Sequence, residues 1–403
     1  MRVVIDALQA GNRSGTGRYV EELIPALAAL DADLELHVVG PGTAPGTGTS
    51  DPALRGGDVP VPNTLVAAGL LTEPPDRSKV SSWGSGTGTS RRLACASPRF
   101  LKVYAMHVTL PRLARRYRAD LVHFTANVGA LPMPRNAVLT MHDLSFLHHP
   151  EWFSVSRAWY YRAAAPYAAR RARRVIAVSQ HTADELQQWL GLPADRIDVV
   201  HNGLSRVFRP ASEEARAIAR TTYGLPERFF LYVGTLEPRK NVPRIIEAWS
   251  AIAKDTDCDL VIAGREGWKT GPVSDAAARS PHRERVRLPG YVADEHLPAL
   301  LSTATAFVWP SLFEGFGWPP LEAMACGAPV ITSSTSSLPE IVGDAAITVT
   351  PDDVGALADA MRQIAADAVL RDTLREKGLA RAALFSWERA AQETVAAYER
   401  AIA

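Results

Sequence analysis

Residues 306–332 read AFVWPSLFEGFGWPPLEAMACGAPVIT. A short apolar run, Ala306–Pro310, fits a buried strand. The glycine-rich segment that follows cannot continue it and reads as a loop. Pro319 and Pro320 then suit the first turn of a helix, where a missing N–H costs nothing. A second apolar run, Val330–Thr332, closes a strand–loop–helix–strand unit, which belongs to a parallel sheet covered on both faces. Two carboxylates are built into the unit, Glu314 in the loop and Glu322 just inside the helix. Gly315 and Gly317 leave backbone N–H groups open to a ligand's oxygens, and a loop carboxylate can accept hydrogen bonds from the vicinal hydroxyls of a sugar. Taken alone, Glu322 fits an ordinary first-turn helix carboxylate equally well.

The same alternation extends in both directions. Strand candidates precede this unit at Phe229–Gly234, Leu260–Gly264 and Val286–Leu288, and Ile347–Val349 follows it. An earlier set comprises Arg2–Asp6, Leu34–Val39, Leu121–Phe124, Ala137–His142, Val175–Ser179 and Ile197–His201. Amphipathic stretches such as Gly17–Leu30, Thr182–Leu190, Pro243–Ala253, Val354–Ala365 and Val369–Ala383 separate them. Two runs of about six strands predict an α/β protein with two Rossmann-like parallel-sheet domains. The expected division is residues 1–204, residues 205–385, and a terminal helix over 386–403 that starts at the N-cap Ser386. Residues 41–50 and 81–90 are rich in Gly, Ser and Thr and read as mobile loops.

Strand ends carry two further motifs. Val233-Gly-Thr-Leu-Glu-Pro-Arg239-Lys240-Asn places adjacent cations at the carboxyl end of a strand, where open α/β sheets bind ligands. Arg offers a bidentate fork and Lys a point charge, a suitable pair for a diphosphate, although composition alone would call them surface charges. Gly11-Asn-Arg-Ser-Gly15-Thr-Gly17-Arg-Tyr opens a helix directly after the first strand, the place for a phosphate-binding turn. A flexible glycine turn is the alternative. A dinucleotide fingerprint would need Gly or Ala where this chain has Val20, which disfavours a Rossmann dehydrogenase.

The chain has 403 residues, 47% apolar and 22% charged, with 44 Lys+Arg against 43 Asp+Glu. That is the composition of a folded globular protein and excludes a disordered one. Apolar runs such as Leu65–Leu71 fall far short of the ~20 residues of a membrane span. The opening MRVVIDALQAG reads as a first strand rather than a cleavable leader. Cys95, Cys258 and Cys326 make neither a disulfide framework nor a metal spacing, so a reducing cytoplasm is expected. The net charge of +1 is a sum of unlike parts: residues 77–174 hold 17 basic and 3 acidic side chains. Arg91, Arg92, Arg99, Lys102, Arg112, Arg115, Arg116 and Arg118 interleave there with Phe100, Leu101, Val103 and Tyr104. Residues 91–118 therefore suit an anionic membrane surface, while solvated Arg-bearing helices are the commoner outcome of such a pattern. No nucleic acid is expected as a partner.

Several segments taken in order resemble one family. E-x7-E in EGFGWPPLE, the preceding EPRKN, the GTGRY loop, MHDLSFLHHPEWFS, VIAVSQHTADEL, VVHNG and PLEAMACGAPVITSSTSSLPEIVGDAA are similar to the family 4 glycosyltransferases of GT-B fold. The likeness covers nearly the whole chain and is weakest over residues 41–100. The HDL and HPEWF pieces look like the bacterial mannosyltransferases of polysaccharide assembly. The resemblance implies two domains facing a cleft and a terminal helix crossing back to the first domain. It implies that Arg239 and Lys240 neutralise the diphosphate of a nucleotide-sugar donor, that Glu314 contacts the donor sugar with the backbone of Gly315, Phe316 and Gly317, and that Glu322 holds the ribose hydroxyls. Val292 would lie by the nucleobase through its main chain, and Gly15 and Gly17 over the phosphates. His142 would face the donor sugar. A lone His at a strand end is otherwise structural, as are the adjacent His148 and His149.

The function implied is retaining, metal-independent transfer of a hexose to a hydroxyl acceptor, with no cofactor beyond the donor substrate. GDP-mannose is favoured and UDP-sugars are possible. The acceptor would be a sugar, a lipid-linked sugar or a small aglycone, and the location cytoplasmic or peripheral on the inner membrane face. Two rivals are a nucleotide-sugar epimerase on the same fold and a non-catalytic nucleotide-sugar or polyanion-binding protein. The intact Glu314/Glu322 and Arg239/Lys240 set argues against the latter. Asp255-Thr-Asp257 matches the D-x-D of metal-dependent transferases, but it precedes a strand, the wrong end of a sheet for a ligand.

Overall fold

The computed structural model describes residues 1–12, 14–30, 33–40, 66–67, 102–265, 267 and 271–403. Strands β1 (Arg2–Asp6), β2 (Glu35–Val39), β3 (Val66–Ala67), β4 (Leu121–Phe124), β5 (Ala137–Met141), β6 (Arg174–Ala177) and β7 (Ile197–Val199) form one sheet in the order β3-β2-β1-β4-β5-β6-β7. Strands β8 (Phe229–Val233), β9 (Asp259–Ala263), β10 (Val286–Gly290), β11 (Ala306–Trp309), β12 (Val330–Ser333) and β13 (Ile347–Val349) form a second, ordered β10-β9-β8-β11-β12-β13. Every pairing within the sheets is parallel. The central strands β4, β5, β9, β11 and β12 are buried at every residue, as their unbroken apolar runs require of strands covered on both faces. The strand candidates are all found. The edge strand β3 was not expected, because two residues leave no periodicity to read.

In each sheet the strand order reverses once, between β1 and β4 and between β8 and β11. At such a switch point the connecting helices leave toward opposite faces, and a crevice opens at the carboxyl ends of the strands. The cation pair lies just beyond β8 and Glu314 just beyond β11, so both motifs border the crevice of the second sheet. The Asp255–Asp257 motif lies at the other end, before β9, where Asp257 accepts a hydrogen bond from Arg228 at 2.6 Å.

The last helix, Trp387–Ile402, begins at Ser386, whose hydroxyl accepts the Arg389 N–H, and returns to the first sheet. Its buried face, Trp387, Ala390, Ala391, Ala397, Tyr398 and Ala401, packs with Val3, Ile5, Tyr19, Leu121, Val138 and Ile176. A buried polar chain lies beneath it. His123 is joined to the Tyr398 hydroxyl through Nδ1 (2.7 Å) and to the Thr140 hydroxyl through Nε2 (2.8 Å).

The basic stretch divides. Residues 91–101, with Arg91, Arg92, Arg99, Phe100 and Leu101, lie outside the described residues, as do Cys95 and the segments 41–50 and 81–90. Farther on, Ala105, Met106 and Leu110 are buried in the first sheet's core, and Arg115 and Arg116 close the helix Leu110–Arg116. Cys258 and Cys326 are buried free thiols. Among the described residues, no helix is long and apolar enough to cross a membrane.

Burial, reinforced by the nearby His142, pushes the His123 imidazole down to about 3. His123 therefore stays neutral in the folded chain while it titrates normally in the unfolded one. Its share of the stability is full above pH 6.5 and is lost as pH falls from there toward 3, at up to about 1.4 kcal/mol per pH unit. Urea unfolding measured from pH 7 to pH 5 should show this slope, and a His123→Gln variant should flatten it.

Candidate active site

After β8 the chain turns through a single 3-10 turn, Pro238–Lys240, and leaves it at Asn241, whose φ of 61° lies in the left-handed region that asparagine tolerates. The turn holds Arg239 and Lys240 side by side and aims both at the β11 loop. Glu314 receives them. Lys240 Nζ donates to Oε1 at 2.6 Å and an Arg239 guanidinium nitrogen to Oε2 at 2.8 Å. The indole N–H of Trp309, the last residue of β11, donates to Oε1 at 3.0 Å, and the Trp309 ring lies 4.6 Å under the Lys240 ammonium. Arg239 also donates to the Phe313 carbonyl (2.7 Å) and to Glu237 (2.8 Å).

Glu314 is only 7% exposed and Lys240 8%. Burial alone would raise the Glu314 carboxyl, yet Lys240 and Arg239 outweigh it and hold the group down at about 2. Lys240 is held below its ordinary value, by burial first and by Arg239 second. With Glu237 the cluster holds two carboxylates and two cations. The ammonium has three hydrogens and the guanidinium five, so both cations keep donors for a further anion.

Hydroxyls from the run after β12 brace the loop. Ser336 accepts the Glu314 N–H at 3.0 Å, and Ser337 donates to the carbonyls of Glu314 (2.9 Å) and Phe316 (2.7 Å). Gly317, at φ 113°, turns the chain into the helix Trp318–Ala325. Phe316 itself points inward, against Trp318 and Phe385, so only its backbone is available to a ligand. Val292 is buried in the core of the second sheet, just beyond β10.

The first sheet meets this loop directly. A side chain at Gly315 would overlap the carbonyl of His142 at the end of β5, so glycine is what allows the two loops to touch. Ser179 donates to the Gly315 carbonyl at 2.7 Å. His142 is fixed by its own backbone N–H on Asn127 (2.7 Å), by Nε2 on the Thr125 carbonyl (2.8 Å) and by the edge of Tyr19 at 4.9 Å. Burial lowers its pKa, so it sits neutral at the cleft with its Nε2 proton on the carbonyl. Gly15 faces Trp318, whose ring a Cβ there would meet at 2.9 Å, while Gly17 packs onto its own loop at Asn12. Glu322, 6% exposed, is paired with Arg18, which also lies over the Phe208 and Trp318 rings.

The structure thus gathers Arg239, Lys240 and Glu314 into one ion cluster and brings the following Gly315 against His142, with Glu322 and Gly15 at the Arg18–Trp318 contact and Gly17 against its own loop. Sequence reasoning passed over Arg18, Glu237, Trp309 and the Ser336–Ser337 pair. Arg18 stood within the GTGRY loop and the serines within a hydroxyl run after a strand, so both had a visible signal. Trp309 looked like core.

Two parallel-sheet domains meeting across their switch-point loops are the architecture of GT-B glycosyltransferases. Residues 13–208 match Glycosyltransferase Family 4 and residues 216–381 match Glycosyl transferases group 1. The chain is 33% identical over 326 residues to O-antigen chain mannosyltransferase B of Escherichia coli, covering 80% of this chain and 84% of that protein. Its fold is shared with sucrose-phosphate synthase from Thermosynechococcus elongatus (TM-score 0.68, 23% identity, 99% and 98% of the two chains). It is shared equally with Anabaena HepE solved in complex with UDP and glucose (TM-score 0.68, 18% identity, 98% of each). The protein belongs to the family 4 glycosyltransferases, and it is a glycosyltransferase.

Removing Glu314 leaves the buried Lys240 without its close counter-charge and the half-buried Arg239 with Glu237 alone. A Glu314→Ala variant should lose about 3–5 kcal/mol of stability in urea unfolding at pH 7. Glu314→Gln, which keeps the shape, should lose the acid-dependent part: the carboxylate's contribution is present above pH 4.5 and disappears as pH falls toward 2.

Proposed function

We propose that this protein transfers a hexose, with mannose the favoured sugar, from a nucleotide diphosphate donor to a hydroxyl acceptor. In this reading the anomeric configuration is retained and no metal is used. One observation carries it: two adjacent cations, oriented by a buried carboxylate, at the switch-point crevice of the second sheet. The diphosphate would lie against Arg239 and Lys240. As the bond between the anomeric carbon and the phosphate oxygen lengthens, negative charge grows on the departing diphosphate beside both cations, where it is stabilised without reorganising solvent.

Glu314 serves this step by holding the two cations in register, and its outer oxygen borders the donor sugar. The N–H groups of Gly315 and Gly317 face the same sugar, and Glu322 takes the ribose hydroxyls once Arg18 yields it. The main chain at Val292 borders the base, and the Gly15–Gly17 turn covers the phosphates. His142 lies at the reacting face. The acceptor oxygen bonds to the anomeric carbon on the face the phosphate leaves, and its proton passes to the departing phosphate oxygen. Closure of two domains over the donor excludes water that would otherwise hydrolyse it. The mannose preference is supported by the likeness to an O-antigen mannosyltransferase, and a cytoplasmic reaction fits a nucleotide-sugar donor.

Incubation with GDP-mannose, UDP-glucose or UDP-N-acetylglucosamine, followed by nucleotide release, tests the reading. GDP-mannose should be turned over fastest, EDTA should leave the rate unchanged, and Lys240→Ala should lower it about 10²–10³-fold. Failure to bind or turn over any donor would refute the assignment, and a loss in EDTA restored by Mg²⁺ or Mn²⁺ would refute its metal-free form.

A further inference from the structure

Opposite the donor loop, the first sheet carries a cluster that the transfer step does not use. Glu185, on the helix Gln180–Leu190, is 6% exposed, and its Oε2 has no hydrogen-bond partner among the described residues. His148 Nε2 lies 2.8 Å from its other oxygen, and His181 Nε2 lies 3.6 Å away. Neither contact has hydrogen-bonding geometry, so these nitrogens are unsatisfied as well. Burial pushes the Glu185 carboxyl up to about 8 and lowers both imidazoles. At neutral pH the cluster is therefore uncharged, and its protonated carboxyl can both donate and accept. The Leu144 N–H reaches the Glu185 carboxyl, but Glu185 Oε2 and the two imidazole Nε2 atoms are buried polar atoms that are costly unless something satisfies them.

Position says what could. Phe313, one residue before Glu314, lies with its ring 5.5 Å from His181 and 6.2 Å from His148. Cluster and β11 loop are thus in contact between the two domains, and because Phe313 belongs to the opposite sheet, a hinge opening would withdraw it and uncover the cluster. At the rim, Trp189 is 54% exposed and stands edge-on to His148 at 4.7 Å, a free aromatic face beside the polar groups. Hydroxyl-matching groups next to an open indole face suit a sugar ring, whose C–H face stacks while its hydroxyls are hydrogen-bonded. Charge narrows the choice: Asp143 adjoins the cluster and faces Arg239, and the cluster contains no cation of its own, so it offers a phosphorylated ring no counter-charge.

We propose that Glu185, His148 and His181, with Trp189 at their rim, form the subsite for a neutral pyranose ring of the acceptor. This rests on the glycosyl-transfer reading above, and it assigns the acceptor end of that reaction to a glycan terminus rather than to a phosphate headgroup.

The probe is methyl α-D-mannopyranoside, followed by saturation-transfer NMR on the full chain and, with GDP-mannose present, as an acceptor in kinetics. The wild type should show transfer to the ring C–H protons. Trp189→Ala and Glu185→Ala should each raise the KM for the mannoside about 3–10-fold while the KM for the donor stays within twofold. Mannose 6-phosphate should bind more weakly than the mannoside. Because Trp189 is exposed, its variant tests the subsite even where Glu185→Ala fails to fold. An unchanged mannoside KM in the Trp189 variant, a parallel rise in donor KM, or tighter binding of mannose 6-phosphate would overturn the proposal. Mannoside binding that depends on Trp189 in a protein that turns over no donor would uphold the subsite and sink the transfer reading.

Discussion

Two cations and one carboxylate, with Lys240 and Glu314 buried and Arg239 half-buried, hold the switch-point edge of the second domain together. Arg239 and Lys240 come from the β8 turn and Glu314 from the β11 loop, and neither set could be buried alone at an acceptable cost. Because the ion pairs also tie Arg239 to the Phe313 carbonyl, they shape the β11 loop as well as neutralising it. The serines after β12 take up the remaining carbonyls. A loop rich in glycine is thereby held in one conformation, which the proposed donor site needs before any donor arrives.

The same loop is where the domains touch. Gly315 and His142 meet backbone to backbone, and Ser179 adds a hydroxyl to the contact. To one side Arg18 reaches Glu322, and to the other Glu340 accepts the N–H groups of Gln180 and His181 at the start of a helix in the first domain. These contacts are polar and local, and the aromatic rings of Trp318 and Phe313 add apolar contact to the first domain beside them. Such an interface suits a hinge.

Legibility in the sequence followed the physics of each feature. Strands buried on both faces are continuous apolar runs, so β1 to β13 could be located apart from Val66–Ala67, too short to carry a pattern. Arg239, Lys240 and Glu314 could be singled out because ligand sites of parallel sheets cluster at strand ends, and the structure joins the three in one ion cluster. The partners of these groups could not. Arg18 and Glu322 are 304 residues apart, and nothing local marks one as the other's counter-ion. Trp309 has the composition of a core residue and the position of one, and its indole N–H acquires a role only because Glu314 folds back over it. The Glu185 cluster was hidden for the same reason: His148 and His181 belong to different helices and become neighbours only in the folded chain.

The terminal helix has a consequence for how the chain comes to be folded. Its residues 387–401 supply one wall of a core whose other wall is built from β1, β4, β5 and β6. During synthesis the first sheet is complete by residue 199, yet Val3, Leu121 and Ile176 wait for Tyr398 through the making of the whole second domain. Until then an apolar face of the first domain stays open on the ribosome. The second domain's core takes its last residue, Phe385, just before that helix begins, so the domain that starts the chain is the last to receive all of its core.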